Sequence, residues 1–133
     1  MTADHEFALE FLRKAEHDLG SARLLLTGED LYDSVCFHCQ QLAEKSIKAL
    51  LTHHSIRFKK VHDLDVLLEL LNDPDFNTLR SYALTLNSYA VDARYPGDYV
   101  EPEREEAEEA LRMAIEIYNL VKKKLSLLRT IYP

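Results

Sequence analysis

Apolar residues recur along this 133-residue chain at intervals of three and four, the spacing that lines up side chains on one face of an α-helix. At about 100° per residue, Phe7, Ala8, Phe11, Ala15, Leu19, Ala22, Leu25 and Leu26 share one arc, which predicts a first helix to about Leu26. Thr2 or Asp4 would cap its start, and Thr27-Gly28 ends it, glycine being the favoured residue just past a helix C-terminus. Asp30 is expected to cap a second helix that carries Asp33 in its first turn and runs to about His54. The stretch from His53 to His62 is basic and without period, and reads as a loop. Asp63 is expected to cap a short third helix through LDVLLELL, stopped by Asp73-Pro74. A fourth helix is expected from Asp75 to about Asp92, followed by the turn-rich RYPGDYVEP. Pro102 opens a last helix to about Leu128, with Ala107, Leu111, Ala114, Tyr118, Val121 and Leu125 as its buried stripe. Glutamates crowd its first turns and lysines its end, an order that complements the helix dipole. The pattern predicts a single domain over 1–133, an all-α, antiparallel up-and-down four- to five-helix bundle.

Composition narrows the class. Apolar residues make up 47% of the chain and there are only three glycines, which fits a globular helical protein rather than a disordered one. A formal net charge of −7 argues against sequence-blind binding of a polyanion along a broad basic face, but leaves room for a local cationic patch. The N-terminal MTADHEFALE has neither the basic start nor the apolar stretch of a secretory signal, and no apolar run reaches the length of a membrane span. A soluble, cytoplasmic protein with no membrane association is expected.

The two cysteines, Cys36 and Cys39, form a C-x-x-C pair inside the second helix. With Val35 as origin, Cys39 falls near 40° and Cys36 near 100° at about 100° per residue, both within the apolar arc. His38 lies well away from them. A redox pair gains its low thiol pKa at a helix N-terminus, and a zinc site would need further ligands at a telling spacing. The cysteines are therefore read as buried apolar filler, with no metal site.

A polar stripe adjoins them. Glu44, Lys48, Gln41 and Lys45 fall between about 180° and 280° on the same wheel, neighbours at spacings of three and four on the side away from the core. This is either a solvated ladder or a working face, and two details favour the second. Phe37 lies on the same side, and Asp18 intrudes into the apolar arc of the first helix, where a carboxylate needs a cationic or hydrogen-bonding partner. Downstream, Lys59, Lys60, His62 and Asp63 gather cations and an imidazole at a helix start. Arg94-Tyr95-Pro96 offers a guanidinium and a phenol on a rigid turn. Arg57 and His62 pair a cation with a possible general acid or base.

AEHDLGSARLLL from Ala15, CFHCQQLAEKSIKALL from Cys36, KVHDLDVLLELL from Lys60 and RYPGDY from Arg94 together resemble the HEPN domain (higher eukaryotes and prokaryotes nucleotide-binding). The resemblance implies a helical bundle that commonly forms a homodimer and works with a minimal nucleotidyltransferase partner in toxin–antitoxin-like or defence modules. It implies nucleotide or RNA binding, without a cofactor. Carried over by motif, the ligand-binding positions are Asp18, Gln41, Glu44, Lys45, Lys48, His62, Asp63, Arg94 and Tyr95. Lys60 joins them as a neighbouring cation. A subset of the family cleaves RNA without metal through an R-x4-6-H motif near the last helices. Here no histidine follows Arg94, since His62 is the last in the chain. Three readings follow from these residues: a non-catalytic nucleotide- or RNA-binding module; a metal-independent RNA endonuclease built on His62 with Arg57 or Arg94; and a dimerisation or interaction module anchored by Phe37.

Overall fold

The computed structural model describes residues 3–90 and 100–131, with side chains for 3–90 and 100–126. Among these residues every regular element is helical: α1 (Ala3–Leu26), α2 (Tyr32–His53), α3 (Leu64–Leu71), α4 (Arg80–Asn87) and α5 (Arg104–Ile131), with a 3₁₀ turn at Pro74–Leu79 leading into α4. Side-chain pairs give the running directions. His5 meets His53 while Asp18 meets His38 and Lys45, so α1 and α2 are antiparallel. Asn87 meets Leu64 while Arg80 meets Glu69, which sets α3 against α4. Tyr89 bonds Glu106 and Arg112 bonds Tyr82, which sets α4 against α5. Between α2 and α3 the segment 54–63 doubles back along α2 and returns His62 to the level of Gln40 and Glu44. With this return segment as one leg, the chain is an all-α, antiparallel up-and-down bundle.

The helix α2 is its axis. Thirteen of its 22 residues are buried, and α1, α3, α4 and α5 all pack on it. Val35, Cys36, Leu42, Ile47 and Leu50 fill the centre against Leu64 and Leu67 of α3 and Ala107, Ala114 and Ile117 of α5. Both cysteines are fully buried, as their place on the wheel predicts. Burial, and secondarily the neighbouring Cys36, pushes the Cys39 thiol well above its ordinary range.

Several boundaries differ from the sequence reading. Asp30 is not the cap of α2: that position is Leu31, without a side-chain bond, and Asp30 itself sits at φ 61°. The fourth helix is split and shorter than Asp75 to Asp92, because Asp73 accepts the Asp75 amide and Pro74 starts a tighter 3₁₀ turn. Phe76, 1% exposed, pins that turn to the core. Phe7 lies on the apolar arc of α1 yet is 62% exposed. α1 rests mainly on α2 and only lightly on α5, so the stripe it buries is narrower than its arc. Among the described residues no helix is long and apolar enough to cross a membrane.

Candidate functional site

The polar stripe of α2 does not face open water as its wheel position suggests. Glu44 is 5% and Lys48 8% exposed, because segment 54–63 lies across them. A carboxylate and an ammonium buried together must satisfy each other and their remaining hydrogen-bonding capacity. Lys48 Nζ donates to Glu44 Oε2 at 3.0 Å, and Gln40 Nε2 donates to Glu44 Oε1 at 3.0 Å. Gln41 Nε2 donates to Gln40 Oε1 at 2.7 Å, and Lys48 Nζ lies 5.4 Å from the centre of the Phe58 ring. Burial alone would push the Glu44 carboxyl up. The bonds from Gln40 and Lys48, the charge of Lys48 and the bond from His62 outweigh burial and hold it below the ordinary glutamate range.

His62 closes this network from above. Its Nδ1 lies 3.2 Å from Glu44 Oε2, and its carbonyl accepts from Gln40 Nε2 at 3.5 Å. An ionised carboxylate only accepts, so the hydrogen between them is carried by Nδ1, and Nε2 takes no part in this bond. The His62 side chain is otherwise open, 66% exposed. The arrangement therefore presents an imidazole of fixed orientation to solvent, held from beneath by a buried anion. Such a ring can donate or accept a hydrogen bond, or move a proton.

A second network ties α1 to the flank of α2. Asp18, 6% exposed, takes Lys45 Nζ on Oδ2 at 2.7 Å and meets His38 Nδ1 on Oδ1 at 2.8 Å. The buried carboxylate thus has the cationic partner its position demands. The Phe37 ring stands edge-on to His38, with 5.5 Å between centroids, and is half-buried.

Gln40 and His38 were not among the sequence candidates. Gln40 is fully buried and links Glu44, Gln41 and His62, so it is as central as any of them. The available signal was its i,i+4 spacing to Glu44. Lys60 and Asp63 are exposed at the end of the return segment. Asp63 holds the N-cap position of α3, but its side chain makes no cap bond; Asn87 Oδ1 accepts the Leu64 amide at 2.8 Å instead. Arg57 is exposed on a cleft near the start of α1, and no hydrogen bond or ion pair joins it to His62 among the described residues. Arg94 and Tyr95 lie outside the described residues.

Set against known proteins, residues 8–124 match the profile of the HEPN domain. A Methanocaldococcus jannaschii protein named "Putative toxin MJ1304" is 30% identical over 134 aligned positions, covering 88% of this chain and 87% of that protein. The crystal structure of ST0689, an archaeal HEPN homologue, superposes with a TM-score of 0.73 at 32% identity, over 88% of this chain and 96% of the other. That of TT1696 from Thermus thermophilus gives 0.74 at 31% identity, over 88% and 97%.

Proposed function

The chain belongs to the HEPN domain family, and on that premise we propose that it is a toxin-like module that binds a nucleotide or a short stretch of RNA. In this reading it is a homodimer and acts with a minimal nucleotidyltransferase as its partner, which carries out the chemistry. One observation carries the proposal: the His62 ring is fixed by buried Glu44 and open to solvent, with Lys60 exposed beside it. In this reading a phosphate meets the Lys60 ammonium and the His62 imidazole there, with Gln41 and Asp63 as further polar groups. Lys45, Arg94 and Tyr95 stay candidates carried by the motif resemblance alone. The relative named as a toxin supports the toxin-like role. Calorimetry with ATP, GTP and a short RNA, alone and with the partner, tests it. Binding by the wild type that His62→Ala weakens by about tenfold or more is expected from the loss of a charge-assisted contact. No binding at millimolar ligand in either condition refutes it.

The same Glu44–His62 pair favours a second reading, a metal-independent RNA endonuclease in which Glu44 orients His62 as the proton-transfer group. RNA cleavage in EDTA by the purified protein, abolished in His62→Ala, would place this reading first. Equal cleavage by the variant would exclude it.

A further inference from the structure

Where the return segment leaves α2 it forms, with the first turn of α1, an open cleft of about 420 Å³. Its walls are Asp4, Thr52, Ser55, Ile56, Arg57, Phe58 and Lys59. We infer that this cleft is a binding site for a small phosphate-bearing molecule, gripped by Arg57 and Lys59. This site stands apart from the His62 face and does not rest on the function proposed for it.

Charge is the first observation. In this acidic chain many of the other cations have carboxylates within reach: Arg13, Arg80, Arg104, Arg112 and Lys124 all form ion pairs. Arg57 and Lys59 form none among the described residues, although they lie two positions apart on one cleft. Among the described residues lining the cleft Asp4 is the one carboxylate; it accepts a hydrogen bond from Ser55 Oγ, which ties it to the wall but leaves its charge. Two cations against one carboxylate leave the cleft net positive, and the planar fork of Arg57 matches phosphate oxygens, so the cleft suits an anion.

Shape and rigidity are the second. The volume falls in the range of small-molecule sites and exceeds what a bare phosphate fills. Ile56 and Phe58 add an apolar wall for the rest of the ligand, and Thr52 adds a hydroxyl. The wall is held before any ligand arrives. Ser55 stands at φ 58° with its amide on the Thr52 carbonyl at 3.0 Å, and the Ile56 amide bonds the Leu51 carbonyl at 2.9 Å. The Phe58 ring is fixed between Phe11, edge-on at 5.9 Å, and the Lys48 ammonium. These bonds set the Ser55–Ile56 corner of the cleft on the end of α2, so that part of the wall needs no ordering on binding.

Calorimetry on the full chain tests this with inorganic phosphate, AMP and adenosine as probes. AMP is expected to bind, inorganic phosphate to compete with it more weakly, and adenosine not to bind. Arg57→Gln and Lys59→Gln, both at exposed positions, should each weaken AMP by about tenfold, the usual worth of a charge-assisted contact, with unchanged thermal melting. His62→Ala should leave AMP binding at this cleft intact, which separates failure here from failure at the other face. Adenosine binding as tightly as AMP, or AMP binding that survives both glutamine variants, overturns the assignment. So does the absence of AMP and phosphate binding by the wild type at millimolar concentration.

Discussion

Replacing Glu44 by leucine removes the anion from a Lys48 side chain that is only 10% exposed, and takes away the acceptor of the Gln40 amide. Breaking a buried ion pair on one side costs about 3–5 kcal/mol, most of it from the charge left behind. Lys48 can recover part of its hydration by shifting its long stem toward the edge of the return segment, so the lower end, about 3 kcal/mol, is expected. For a chain of this size that corresponds to a fall in Tm of about 10 °C. Lys48→Met should cost less, about 2 kcal/mol, because Glu44 keeps Gln40 and His62 as partners. The double variant then replaces an ion pair by an apolar pair, and should be more stable than Glu44→Leu alone. Urea unfolding followed by circular dichroism at 222 nm for the four proteins gives the coupling directly, and about 2 kcal/mol or more is expected. Costs that add to within about 0.5 kcal/mol, or a Glu44→Leu protein as stable as wild type, would refute the reading of this pair as buried and mutually dependent.

Other outcomes follow from the same structure. The folded-state pKa of Glu44 is depressed, so its contribution to stability is complete above the ordinary value of 4.5 and is lost as the pH falls through the lower folded value. The stability difference between wild type and Glu44→Gln should therefore shrink in acid, and a difference that widens below that pH would contradict the assignment. Asn87→Ala removes the side chain that accepts the Leu64 amide, which should cost about 1 kcal/mol in chemical denaturation; Asp63→Ala, with no cap bond to lose, should cost much less. The buried thiols of Cys36 and Cys39 should react with a thiol reagent only at the rate of unfolding, and rapid labelling of the native protein would place them elsewhere.

The bundle was largely legible in the sequence because its long helices follow a single period. The apolar arcs locate α1, α2 and α5 closely, Thr27-Gly28 marks the end of α1, and Asp73-Pro74 marks the end of the short α3. Legibility stops where burial is decided by a segment distant in sequence. A wheel drawn on α2 alone assigns Glu44 and Lys48 to solvent, since nothing in their own periodicity reports that residues 54–63 return across them. The same holds for the cap of α3, which Asn87 supplies from α4, and for Gln40, whose role appears only when Glu44 and His62 converge on it. Of the candidate residues, Glu44, Lys48, Gln41 and His62 come together in one network, and Asp18 and Lys45 in another.

The return segment has one more consequence, which concerns time rather than shape. Beyond Ile56 its backbone is secured by a few turn bonds, such as Val61 to Phe58, and it is held to the bundle by the half-buried Ile56, Phe58 and Val61 and by the polar bonds of His62. Elements held this lightly open at a fraction of the free energy of global unfolding. Amides of 57–63 should accordingly exchange with deuterium well ahead of those in α2. Each such opening would admit water to the Glu44–Lys48 pair and release His62 while the bundle stays folded, so the same segment that presents the histidine also governs how long it stays presented.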